Sequence, residues 1–289
     1  MKRIIPIFVL TGLYLVLLSG CMRAALRMSP TLFPNFAAAI FEECDPALAK
    51  DAIPANLKLL EGLLKNDPEN KRILTTLSMG FSGYSMLFLE EEEPERASEF
   101  YLRAMKYSLR SLGSKGRTLE NAGSKTADIQ KTLQGIGKKD YDAFFWTAVA
   151  LNAWINLNLD KPAALAQLGL SQAYLKRVLE IDGNYLHGFP YILMGVTLAA
   201  RPRMFGGNIQ QAKFNFEKAL SLSDGKFLLV HYYYARYYAP RAQDKDLFLE
   251  LIDEMINGNP RDLPDVCLIN TMIQDRAIEL KAMADELFF

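Results

Sequence analysis

"NIQQAKFNFEKALSLSDGK", residues 208–226, sets Ala212, Phe216 and Ala219 at i, i+4 and i+7. In a helix these three share a face, whereas a strand turns Ala219 away from the other two. Two alanines admit a neighbouring backbone, and the phenylalanine between them fills the gap that remains. Asn208 with Gln211 three residues on is an N-cap of capping-box type, and Asp224-Gly225 supplies the closing turn. Ala97, Tyr101 and Ala104 repeat the spacing, and Ser171, Leu175 and Val178 give a looser version of it.

Working outward, apolar residues recur at helical spacing from residue 35 onward, and short polar turns at 64–70, 179–185 and 220–226 separate the helices. First helices are predicted at 71–89, 141–157, 185–200 and 226–238. Their partners fall at 94–112, 162–181, 209–222 and 246–257, with an opening pair within 35–65 and a closing helix over 265–287. The Ala/aromatic/Ala spacing is the second-helix pattern of a tetratricopeptide repeat, though the repeats exceed its roughly 34-residue period. The expected fold is all-α, an α-solenoid of degenerate TPR-like helix pairs forming one domain over 35–289. A glycine-rich connector with one helix at 126–133 interrupts it at 113–140.

The first residues carry a different signal. Lys2-Arg3 precede an apolar run at 4–18, which ends in Leu18-Ser19-Gly20-Cys21. That run is shorter than the roughly 20 residues a spanning helix needs, and it stops at small residues as a secretory signal does. The ending resembles the bacterial lipoprotein signal, so 1–20 is expected to be removed and Cys21 acylated, palmitate included. Residues 21–34 then tether a body that faces the periplasm. Charge is balanced at 33 Lys+Arg against 33 Asp+Glu without a basic block, which argues against a nucleic-acid partner. Cys44 and Cys267 sit in apolar segments near opposite ends of the mature chain. Since a bridge needs Cα atoms within about 7 Å, an extended solenoid predicts two free thiols.

Enzymatic constellations are thin. His187 and His231 stand alone on predicted first helices, outside any metal-ligand spacing, and read as packing residues. The acidic run 90–93 precedes a helix start, where carboxylates offset the dipole. Two helices, 141–158 and 227–240, carry aromatics on more than one face, so a single core-facing stripe cannot hide them all. Either they are covered on both sides, or some line a concave groove suited to a peptide, a partner helix or an amphipathic molecule. The repeat register puts Phe145, Val149, Asn152, Tyr185, Ile192, Val196, Tyr233, Arg236 and Tyr237 in that groove. In "RPRMFGGN" (201–208), Pro202 ends one helix, Gly206 and Gly207 supply positive φ, and Asn208 caps the next helix. Arg201 and Arg203 are candidates to hold a carboxylate or phosphate of a ligand or partner, and their removal is expected to leave folding intact.

Taken together, the signal ending at Cys21 and the stretches 83–104 ("GYSMLFLEEEEPERASEFYLRA"), 144–157 ("FFWTAVALNAWINL") and 201–220 ("RPRMFGGNIQQAKFNFEKAL") resemble the TPR-containing T component associated with tripartite ATP-independent periplasmic (TRAP) transporters. The resemblance implies a lipid-anchored periplasmic protein that docks the transporter's substrate-binding protein, assembles as a homotrimer with pores, and relays a hydrophobic ligand. It carries over no catalytic residue, and from the residues themselves no cofactor or metal is expected. The alternative expectation is an envelope scaffold lipoprotein that assembles proteins without a small ligand.

Overall fold

The computed structural model describes residues 26–29, 31–121 and 125–288, so the signal segment 1–20 and Cys21 lie outside the described residues. Every regular element among those described is helical. The opening pair α1 (Leu32–Phe41) and α2 (Pro46–Asn66) leads into α3 (Lys71–Phe88) and α4 (Pro94–Leu112). The connector holds α5 (Ser114–Glu120) and α6 (Thr126–Gln134). Next come α7 (Tyr141–Leu157), the one-turn α8 (Pro162–Leu165), α9 (Leu168–Asp182), α10 (Tyr185–Ala200) and α11 (Ile209–Ser223). The last elements are α12 (Leu228–Tyr233), a π-helical turn (Tyr234–Tyr238), α13 (Ala239–Ala242), α14 (Lys245–Asn257), α15 (Cys267–Ala282) and α16 (Ala284–Leu287). No helix among the described residues is long and apolar enough to cross a membrane.

The spacing that opens the sequence reading sets the packing. Ala97, Tyr101 and Ala104, Ser171, Leu175 and Val178, and Ala212, Phe216 and Ala219 are all 0% exposed. Phe216 shows how the interlock works: its ring stacks on Tyr234 with centroids 4.9 Å apart, and a Cβ on Gly195 would stand 2.9 Å from it. Helix starts are fixed by side chains that accept from free backbone N–H groups. Asp45 takes Ala47 N and Leu48 N, Asn70 takes Ile73 N, Asn208 takes Gln211 N, and Asp244 takes Leu247 N. The first helices α3, α7, α10 and α12 form an inner layer, and each second helix bridges two of them: α4 packs on α3 and α7, α9 on α7 and α10.

The chain then comes full circle, which overturns the extended solenoid and the free thiols expected with it. Helix α15 packs on α1 and α2. Cys44 and Cys267 are disulfide-bonded, with Cα atoms 5.2 Å apart. Cys44 lies in the loop between α1 and α2, and Cys267 is the first residue of α15. Farther along the same seam, Arg276 Nη2 donates to Met86 O and Leu87 O, both at 3.0 Å. Those carbonyls belong to the last turn of α3, where no intrahelical partner exists.

Several expected helices are more irregular than periodicity implies. The segment 162–181 breaks into α8 and α9, and 226–238 splits at the π-helical turn. Leu186, His187 and Gly188, at the start of α10, have φ of 43°, 56° and 84°, a run of left-handed backbone. Part of the segment expected as a tether packs on the body: Leu26 is buried, and Arg27 makes a two-pronged bond to Asp67 at 2.7 and 2.9 Å.

Candidate functional site

Because the inner helices run side by side, the C-terminal ends of α3, α7 and α10 and the π-helical turn gather around a cavity of about 200 Å³. Val149, Asn152, Val196, Tyr233, Arg236 and Tyr237 all line it. The π-helical turn brings Arg236 and Tyr237 to the cavity while Tyr234 and Tyr238 stay buried in the core. Its lining mixes apolar and aromatic side chains with the buried Asn152 and Thr197 and the more exposed Arg236 and Glu91, as in sites that hold an apolar ligand with a few placed polar groups.

Glu90 and Glu91, read from the sequence as offsetting a helix dipole, line this cavity along with Tyr101. Tyr101 donates to Glu90 Oε1 at 2.5 Å, and burial raises the Glu90 carboxyl above its usual range. Burial, with the Glu90 charge behind it, lifts the Tyr101 and Tyr233 hydroxyls well above theirs. Glu91 Oε1 accepts from Tyr232 and from Arg236 Nη1, both at 3.1 Å, while its Oε2 lies 3.7 Å from Arg276 Nε. Glu91 thus ties the end of α3 to the last repeat. Farther along the acidic run, Glu92 meets Lys50 at 3.4 Å and Glu93 meets Arg96 at 2.9 Å.

Other residues named from the sequence lie elsewhere. Phe145 and Ile192 are 0% exposed and belong to the core; the Phe145 ring packs on Tyr185 and Phe189 of the neighbouring inner helix α10, with centroids 4.8 and 5.7 Å apart. Arg201 is 4% exposed, donating from Nη2 to Ser171 Oγ at 2.9 Å and from Nη1 to Leu168 O at 3.3 Å. It binds the protein's own helix rather than a ligand, and burial pushes its guanidinium down to about 10. Ser171 in turn bonds Asn152 Oδ1 at 2.9 Å, so Arg201 reaches the cavity only through two side chains. Arg203 is exposed and lines neither cavity mouth. Of the two glycines, only Gly206 has positive φ, at 87°; Gly207 is required because a Cβ there would stand 1.8 Å from Arg201 O. The capping box is half made, since Asn208 N donates to Leu198 O.

Tyr185 lines a different cavity, of about 420 Å³, at the opposite ends of α3, α7 and α10. Between the two mouths lies a packed layer of Phe145, Phe189, Ile192 and Phe227, none more than 1% exposed. Leu186 and Asp265 edge this second mouth, and His187 Nε2 pairs with Asp265 Oδ2 at 2.7 Å. His231 is buried, with its Nε2 2.9 Å from Glu254 Oε2. Among the described residues no group of His, Cys, Asp and Glu is arranged to hold a metal ion. The sequence reading missed Glu90, Glu91, Tyr101 and Arg276. The only available signal was that four successive glutamates exceed what a helix start uses.

The sequence model of a family described as "TRAP transporter T-component" matches residues 42–288. An uncharacterized protein of Treponema pallidum (strain Nichols) is 24% identical over 270 residues, which covers 88% of this chain and 84% of that protein.

Proposed function

We propose that this chain, which belongs to the TRAP transporter T-component family, docks the transporter's periplasmic substrate-binding protein and takes up a hydrophobic ligand at the cavity between the C-terminal ends of α3, α7 and α10. Family membership makes it an accessory transporter component associated with the cell envelope. The finer reading adds anchoring through acylated Cys21, periplasmic exposure and assembly as a homotrimer.

The observation that carries the reading is the convergence of Val149, Val196, Tyr233 and Tyr237 on one cavity, with Arg236 and Glu91 at its rim. That combination gives apolar contact area with a fixed polar edge, which suits binding a ligand with an apolar body. A disulfide between Cys44 and Cys267 fits an oxidising compartment such as the periplasm. The packed layer between the mouths, in which Phe189 joins Phe145 to Phe227, must shift if the ligand is to pass through a protomer.

The test is photo-crosslinking from Tyr237, replaced by a photoreactive amino acid, in intact envelopes. A substrate-binding protein is the expected adduct, and native mass spectrometry of the purified chain is expected to retain an apolar small molecule. Adducts only to outer-membrane assembly or cell-wall proteins, with no retained molecule, would refute the transport reading.

A further inference from the structure

Beneath α1 lies a third, almost wholly apolar cavity of about 50 Å³, walled by α1, α2, α3 and Leu268 of α15. Its floor is Gly80 and Gly83 on α3. The two glycines are not equivalent. A Cβ on Gly80 would strike Leu57 Cδ2 at 2.6 Å, whereas one on Gly83, a buried position, meets nothing within 4 Å. Open space at a buried glycine is space for something else.

Ala37, Phe41, Thr76 and Met79 line both the slot and the 420 Å³ mouth, so a single layer of side chains separates the two. Along one face of α3 the lining runs Leu87, Gly83, Gly80, Met79, Thr76, Arg72, apolar at one end and cationic at the other. At 1.5 Å per residue that strip spans about 22 Å. An acyl chain spans roughly 15 Å, half of a hydrocarbon core. The strip therefore accommodates such a chain with its head group.

Three cations and three carboxylates line the open end, and they differ in what already engages them. The mouth's carboxylates are engaged: Asp140 with Lys115 at 2.7 Å, Asp265 with His187 at 2.7 Å, and Asp142 with Tyr185. Of the cations there, Lys71 and Lys139 have no ion-pair partner among the described residues, and Arg72 donates only to Arg27 O, at 3.1 Å. The roof is lightly held, since Phe33 is the one buried residue of α1, and Phe36, Ala37, Ile40 and Phe41 are half-buried over the slot.

We propose that the slot and this mouth form one site for a single-chain amphiphile with an anionic head, a fatty carboxylate. Its alkyl chain lies along Gly83 and Gly80 under α1, and its carboxylate sits at Lys71, Arg72 and Lys139. Entry lifts α1 from the half-buried contacts of Phe36 and Ile40, enlarging a slot that is narrow when empty. The site is separate from the cavity at the other end of the inner helices. A chain that takes up the carboxylate but captures no substrate-binding protein keeps this inference and loses the transport reading.

The probe is dodecanoate carrying a diazirine at its methyl end, photolysed with the full chain in envelopes and mapped by peptide mass spectrometry. Adducts are expected on Leu57, Leu60 or Leu87, displaced by excess dodecanoate but not by dodecyltrimethylammonium. Gly83→Leu fills the open space without touching backbone, and the lost methylene contacts lower labelling about tenfold or more, with the melting temperature retained. The surface double variant Lys71→Gln/Lys139→Gln also lowers it. Labelling spread over the surface, labelling undiminished in Gly83→Leu, or equal displacement by the ammonium amphiphile overturns the proposal.

Discussion

Replacing Cys44 and Cys267 by serine removes the covalent tie between the α1–α2 loop and α15 while leaving their packing in place. The two cysteines are 223 residues apart in sequence, and chain-entropy arguments for a loop of that length give about 5 kcal/mol at 25 °C, the upper end of measured effects. A compact unfolded chain reduces that figure, so a loss of roughly 3–5 kcal/mol is expected. At roughly 2–4 °C per kcal/mol for a chain of this size, the midpoint falls by about 6–20 °C. Thermal unfolding of oxidised wild type and of Cys44→Ser/Cys267→Ser, followed by far-ultraviolet circular dichroism, reads the difference. Hydrogen exchange adds direction: the variant should lose protection first in α15, whose remaining hold on the first repeats is packing and Arg276. Equal midpoints, or alkylation of both thiols in unreduced denatured protein, would refute the closed arrangement.

Gly207→Ala forces a Cβ to within 1.8 Å of Arg201 O and should cost about 2–4 kcal/mol in urea unfolding, more than Gly206→Ala, whose penalty of about 1–2 kcal/mol is that of left-handed backbone. Arg201→Ala removes the bonds to Ser171 and Leu168 O and should destabilise by about 2–3 kcal/mol, while Arg203→Ala stays within about 0.5 kcal/mol of wild type; equal stabilities would contradict the buried placement. Burial pushes His231 down to about 4, so the native state keeps it neutral while the unfolded chain protonates it below its usual 6.5. Stability is therefore complete above 6.5 and falls as pH drops toward 4, by up to about 3 kcal/mol. His231→Gln should flatten that part of the profile, and a slope unchanged in the variant would assign it to the carboxylates.

How much was legible in the sequence depended on the range of the interaction that decides each feature. Pro94 at N1 and Gly113 at the C-cap bound α4 at Pro94–Leu112, and α7 runs over Tyr141–Leu157, both as local signals indicated. The Ala/aromatic/Ala spacing marked fully buried positions because it reports how close two helices can come. Phe145 and Ile192 were misplaced because a helix covered on both sides and a helix lining a groove carry the same apolar pattern. Arg201 deceived for a related reason: a cation beside a glycine turn signals an anion site, and nothing in its own segment reveals that Ser171 and Leu168 lie within reach. The closure was invisible in principle, since Glu91 with Arg236 and Arg276 with Met86 O join residues 145 and 190 apart.

A repeat array whose last helix meets its first is a counted object. An open solenoid gains or loses a helix pair at the price of one interface, because each unit touches only its neighbours. Here one more pair, or one fewer, would change the accumulated rotation and part Cys44 from Cys267 and Glu91 from Arg276. Length variation among related chains is therefore expected only at places that leave the rotation alone, such as the 113–140 connector.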